Sequence, residues 1–407
     1  MSIEQAFLTD IIEHPDDDVP RLIYADWLED QGKDGQARIL RLKGVSREEI
    51  LNVIIHAPDD DALRIAFARW LEEHCATTEH ERARAEFIKL QCQRARSKAS
   101  EAMAPREVEL LRAHGVAWLQ DMLGVEQVEW HGDDPHHFPY ADPDWTVNVP
   151  AYLPGIQMRD FQRGFLHRVG HHAPEVEYLL SATRTRSPVT EVSLTPWHDE
   201  QYSAAIRCCT EHPSVQSLSL WANDEFSDLE SEHLRLVVDM HLSELLRRLH
   251  ICNGYEYWNQ GVHPRYIFLL NDASWEGLKE LSLGIGKLDA TQATRLFQAP
   301  LAAELEVLRL WNNCLELESE AVLTRMVLTR LRVLDLQNCR VSPLTIQRLI
   351  TGTTLPSLQR LIGPQLHIIH DRALRYMLQR QKPFLESLAK ERGIEAQLDG
   401  EPIVDEA

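Results

Sequence analysis

One spacing constrains this chain more than any other feature in it: an apolar residue, two others, an apolar, one other, an apolar. It occurs as Val189-x-x-Val192-x-Leu194, Val215-x-x-Leu218-x-Leu220, Leu246-x-x-Leu249-x-Ile251, Leu278-x-x-Leu281-x-Leu283, Leu305-x-x-Leu308-x-Leu310 and Leu331-x-x-Leu334-x-Leu336, with a shortened seventh, Leu358-x-x-Leu361. Successive starts lie 26, 31, 32, 27, 26 and 27 residues apart. A near-constant period of this length marks a solenoid, because each unit buries its apolar face only against its neighbours. The two longer periods place loop insertions around 254–264.

Three residues beyond the last apolar position stand Asn223, Asn313 and Cys339, with Gly254 and Gly286 in the third and fourth copies. Asn or Cys there can satisfy backbone groups where the chain leaves a strand. On these residues the segment resembles the leucine-rich repeat family, in its longer, ribonuclease-inhibitor-like variety. That resemblance implies parallel strands on the inside and helices on the outside. Helical returns are expected at 201–211, 227–240, 291–299, 316–329 and 343–351, the last turning Leu344, Ile346, Leu349 and Ile350 inward.

A second repeat lies in the first hundred residues. The stretch from His14 to Asp30, with Asp16-Asp17-Asp18, Arg21, Tyr24, Trp27 and Leu28, realigns 43 residues later as Ala57 to Glu73, with Asp59-Asp60-Asp61, Arg64, Phe67, Trp70 and Leu71. Pro15 and Pro58 end one helix. The Asp run caps the next and places carboxylates at its positive end. Leu22, Ile23, Trp27 and Leu28 are expected to form a buried face, as are Ile65, Phe67, Trp70 and Leu71. Arg21 and Arg64, one turn past the Asp run, are expected to pair with its carboxylates. A calcium loop is disfavoured, because its alternating ligands and Gly are absent. The wording P-D-D-D-x-x-R-L-x-Y-A-D-W-L-E, followed by A-R-x-x-x-L, resembles the repeat-companion domain of planctomycete and myxobacterial proteins. The second copy departs from that pattern at Phe67 and Arg69. The resemblance implies a helical domain placed ahead of leucine-rich or similar repeats, and no enzymatic activity.

Between the two repeats, 107–123 reads as a helix. Residues 130–145 are rich in His, Asp and Pro and follow no element period. His131, His136, His137, Asp133, Asp134, Asp142 and Asp144 are metal-ligand types, but their spacing matches no named site. The run from Phe161 to Val169 is expected to be an entry strand, with 174–183 the first helix of a cap. After Pro364, two helices (373–380 and 383–392) and an acidic tail (398–407) are expected. The domains are then 1–98, helical tandem; 99–160, connecting helix and loop; 161–363, solenoid with its entry cap; and 364–407, C-terminal cap and tail.

The net charge of −21, from 42 basic and 63 acidic residues, argues against nucleic acid and against anionic membranes. Seven cysteines, an odd number with no C-x-x-C, suit reduced thiols better than disulfides or a zinc ribbon. Met1 to Gln5 is unlike a secretory leader, and no stretch approaches about 18 apolar residues. A cytoplasmic protein follows as the expectation. Neither a G-x-S-x-G, a phosphate-binding P-loop nor a dinucleotide glycine pattern is present, and Cys208-Cys209 reads as a pair of structural thiols.

If the repeats stack, the x positions form columns on one face of the sheet. One reads Ser193, Ser219, His250, Ser282, Arg309, Asp335. The next reads Thr195, Trp221, Cys252, Gly284, Trp311, Gln337. The preceding one reads Glu191, Ser217, Arg248, Glu280, Val307, Val333. The expected function is non-enzymatic: a scaffold that holds a protein partner, without cofactor, through Trp221, Trp311, Arg309, Arg248, His250, Asp335 and Gln337. Trp197, Trp258 and Trp275 are expected along the same rim. The rival expectation is metal binding or metal-dependent hydrolysis at loop 131–144.

Overall fold

A computed structural model describes residues 2–96, 105–125, 129–130, 146–148, 156–157, 160–195, 199–221, 231–252, 265–272, 274–284, 286–311, 313–315, 317–337, 339–364 and 372–398. The chain divides into two compact units, residues 1–192 with 211–215, and 193–210 with 216–407.

The first unit is largely helical. Its tandem consists of α1 (Ile3–Glu13), α2 (Asp18–Asp30) and α3 (Asp34–Arg41), then α4 (Arg47–His56), α5 (Asp61–His74) and α6 (Glu79–Arg96). Local chemistry starts corresponding helices in the same way. Ser2 with Gln5 and Ser46 with Glu49 form capping boxes ahead of α1 and α4. Asp17 and Asp60 cap α2 and α5 by accepting the N–H groups of Val19 and Ala62. Arg21 pairs with Asp18 at 2.7 Å and Arg64 lies 3.8 Å from Asp61, as expected. The buried face of α2 differs from its expectation. It consists of Pro20, Arg21, Tyr24, Ala25 and Leu28, while Leu22 and Ile23 are exposed. Tyr24 takes the inward place, stacked on Trp27 in a three-ring cluster with Phe7.

The connecting helix α7 (Pro105–Leu123) follows, then β1 (Glu129–Trp130), β2 (Thr146–Asn148) and β3 (Ile156–Gln157), which pair antiparallel. The segment expected as one entry strand is instead a tight hairpin, β4 (Phe161–Gln162) with β5 (Phe165–Leu166), ahead of β6 (Arg168–His172). The reversal is made at Arg163 and Gly164, both with positive φ (52° and 82°). Phe165 enters the helical core beside Phe67. Around it sit Arg64 and Arg84, both buried, over its ring at 5.9 and 5.1 Å. Arg84 donates to the Gly164 carbonyl, and Gln91 accepts from the Gly164 N–H. Arg163 pairs with Asp61 at 3.0 Å. Burial pushes the Arg64 and Arg84 guanidiniums below their usual range. Helix α8 (Ala173–Thr183) and the strand β7 (Glu191–Thr195) come next.

In the second unit helices alternate with strands: α9 (Asp199–Glu211), β8 (Ser217–Trp221), α10 (Ser231–Asp239), β9 (Arg248–Cys252), α11 (Arg265–Asp272), β10 (Glu280–Gly284), β11 (Gly286–Leu288), α12 (Ala290–Gln298), β12 (Val307–Arg309), β13 (Asn313–Leu315), α13 (Leu317–Leu323), β14 (Val333–Asp335), α14 (Pro343–Thr351), β15 (Arg360–Ile362), α15 (Arg372–Glu391) and β16 (Glu395–Gln397). The largest sheet among the described residues has nine strands. The seven belonging wholly to this unit run β8-β9-β10-β12-β14-β15-β16, each parallel to its neighbours. A helical crossover between successive strands is what parallel pairing requires. The repeat leucines pair with one another: Leu218 with Leu249, then Leu281, Leu308, Leu334 and Leu361, all buried. Cys339 is buried and its thiol donates to the Leu310 carbonyl, one repeat earlier.

Three expectations need correction here. Leu344 is exposed, and α14 buries Ile346, Leu349 and Ile350 without it. The two C-terminal helices are one, α15, with Pro383 inside it. Trp275 is buried and its indole N–H reaches the Leu269 carbonyl at 3.5 Å, so it lines no rim. Trp197, Trp258, Asn223, the 254–264 insertion, the 131–145 segment and the tail beyond 398 lie outside the described residues. No helix among the described residues is long and apolar enough to cross a membrane.

Candidate interaction face

The registers set the x positions in rows across the second unit. Ser217 pairs with Arg248, Arg248 with Glu280, Glu280 with Val307 and Val307 with Val333. The next row runs Ser219, His250, Ser282, Arg309, Asp335. From β8 to β14, two of the three columns expected from sequence are therefore physical rows. Within them Glu280 is the electrostatic centre. Its carboxylate forms an ion pair with Arg309 and lies 3.6 Å from His250. An arginine from one flanking strand and a histidine from the other thus converge on one carboxylate on this face.

The third row begins Trp221, Cys252, Gly284 and then leaves the ladder, because β12 ends at Arg309. Trp311 follows in a turn, and its ring leans back over the strands. The indole N–H donates to Ser282 Oγ at 2.8 Å. A Cβ placed on Gly284 would stand 3.0 Å from Trp311 Cε2 and 3.4 Å from the Cys252 sulfur. The glycine is thus a cleared seat for the indole, a packing requirement rather than a left-handed turn. From the other side comes exposed Trp221, so that the two ring centroids are 6.2 Å apart at 56°. That tilted arrangement suits the aromatic quadrupoles. The result is an aromatic corner over a floor of two small residues. Trp221 faces solvent and Trp311 is half-buried.

The remaining expected residues divide. Arg248 and His250 are half-exposed on β9. Asp335 is buried, and its Oδ1 accepts the Gln337 N–H at 2.8 Å, so it shapes the turn after β14. Gln337 is half-buried beside it. Sequence reasoning placed Cys252 and Gly284 between the tryptophans without assigning them a part, and passed over Ser282 as an anchor. The signal was available: the two smallest entries of that row separate its two largest.

Cys209 is buried, and burial raises its thiol, so it is a poor nucleophile. Six cysteines among the described residues are free thiols. The His/Asp-rich segment of the rival metal reading lies outside the described residues. No protein-family model matches this chain, and no curated protein matches it.

Proposed function

We propose that the chain is a non-enzymatic scaffold: a leucine-rich-repeat solenoid, preceded by a tandem repeat-companion domain, that binds a protein partner through the x-position face. The matched registers of its repeat leucines support the solenoid reading. One observation carries the binding reading, the Trp221–Trp311 corner seated over Cys252 and Gly284 and bordered by the Arg309–Glu280–His250 cluster. A solvent-facing indole backed by a second indole and adjoining arginines has the make-up of an interface anchor. The half-exposed Arg248 and Ser219 form its rim. The free thiols are consistent with a reducing compartment, the cytoplasm.

The test compares partner capture from the native host by the wild-type chain and by Trp221→Ala/Trp311→Ala, with unfolding curves to verify the fold. A genuine anchor gives at least a ~30-fold loss, the hot-spot range. Gly284→Val provides an independent probe, since it displaces Trp311 without removing an indole. Capture that survives both variants rejects this face as the binding site.

A further inference from the structure

The two tandem copies leave one helix face uncovered. Helix α5 packs against α4 and α6 of its own copy, and also against α1 and α3 of the first copy. Its counterpart α2 has its main helix contacts with α1 and α3 alone. The difference shows residue by residue. Ala62, Ile65 and Ala66 are 0%, 1% and 0% exposed; 43 residues earlier, Val19, Leu22 and Ile23 are 58%, 40% and 51% exposed. The three lie at i, i+3 and i+4, on one face of α2. The surroundings stay acidic after internal pairing. Lys89 and Arg69 hold Asp16 and Arg41 holds Asp26 and Glu29, while Asp17 and Asp30 are exposed beside them. Residues 2–41 hold ten acidic against four basic side chains.

The opposite combination occurs on α15. That helix buries Leu378, Leu385 and Ala389 and leaves Tyr376, Met377 and Phe384 exposed. Arg372, Arg380 and Lys390 are exposed on the same helix, and residues 372–392 hold six basic against two acidic side chains in a chain of net charge −21. Arg380 lies over the Tyr376 ring, 5.7 Å from its centroid.

We propose that the α2 face of one molecule receives α15 of a second copy of this chain. Aliphatic side chains meet aromatic ones, and an acidic rim meets a basic one. An α2-to-α2 contact is disfavoured, because it opposes two acidic rims. The contact joins two different surfaces and is head-to-tail: in a pair of copies, one keeps its α15 face unused and the other its α2 face. Association grows with concentration and weakens with salt.

Sedimentation velocity on the full chain, from about 1 to 100 µM at low and high salt, tests this. The wild-type mass rises with concentration at low salt and falls towards the monomer at high salt. Ile23→Asp and Phe384→Asp are each monomeric alone, with unchanged circular dichroism, because both side chains point to solvent. Their equimolar mixture forms a dimer and stops there, since it holds one intact α2 face and one intact α15 face. Arg380→Glu reproduces the Phe384→Asp result through charge alone. A monomeric wild type over this range, a mixture that stays monomeric, or association that survives Phe384→Asp overturns the proposal; the last with loss in Ile23→Asp indicates an α2-to-α2 contact instead.

Discussion

The two copies of the helical tandem share their caps, their Asp run and their buried arginine, yet only the second is roofed. The hairpin tip at Arg163, Gly164 and Phe165 sits on α5 and α6, against Asp61, Arg64, Phe67, Ile88 and Gln91. As a result, equivalent residues do different work. Asp61 has a side chain 6% exposed, between Arg64 and Arg163, while Asp18 is 45% exposed, between Arg21 and Arg69. Repeat wording sets the helices; what covers them sets the energetic weight of each residue. Removing the same group from both copies measures that weight.

The largest contrast is expected at the acid of the buried pair. Asp61→Asn leaves Arg64 and Arg163 without their carboxylate, and stranding buried charge costs about 3–5 kcal/mol. Asp18→Asn also takes the carboxylate from a buried arginine, Arg21, but that carboxylate is itself 45% exposed and water can replace it, so the cost is smaller, about 1 kcal/mol. Urea unfolding of both variants checks this, and equal costs would erase the distinction between the copies. The hairpin gives the next effect. Gly164 and Gly124 both have positive φ, 82° and 67°. A Cβ at Gly164 would stand 2.0 Å from Ile88 Cγ1 in the core; at Gly124 it meets the exposed Arg186 side chain, which can move. Alanine at either site strains the backbone. At Gly164 it also overpacks the core, so Gly164→Ala is expected to cost about 2 kcal/mol more than Gly124→Ala in the same measurement.

How much of this was legible follows from what kind of fact each feature is. The strand rows were readable because an unbroken period fixes the register: once Leu281 lies beside Leu308, Ser282 must lie beside Arg309. The Arg21 and Arg64 pairings were readable because both partners sit within one helical turn. The exposed face of α2 was not, since Leu22 and Ile23 have apolar spacing identical to a buried stripe and only a missing neighbour uncovers them. Pro383 reads as a break, yet α15 continues, with Leu378 and Leu385 anchoring it on either side. Strand β16 carries no Leu-x-x-Leu spacing to reveal it. In the candidate site the row order was visible, but the lean of Trp311 across Gly284 depends on a turn conformation that no pattern of leucines specifies.

The smallest contrast concerns the caps. Asp17 and Asp60 each accept a helix N–H at their helix start, but burial pushes the Asp60 carboxyl up to about 6 from its ordinary 3.8, against the lowering effect of the Ala62 and Leu63 N–H groups. The folded chain thus binds this proton more tightly than the unfolded chain does. Stability from the group is present below about pH 4, falls as pH rises to about 6, and stays reduced above that. Asparagine caps a helix about as well as aspartate and carries no charge to desolvate, though it gives up the carboxylate's attraction to the helix dipole. Asp60→Asn is therefore expected to gain about 1 kcal/mol over wild type at pH 7.5 and nothing at pH 4, whereas Asp17→Asn changes by a few tenths at either pH. Unfolding at pH 4, 5.5 and 7.5 decides it. A neutral-pH loss in Asp60→Asn would mean that the hairpin-covered copy holds its charged cap more comfortably than its burial implies.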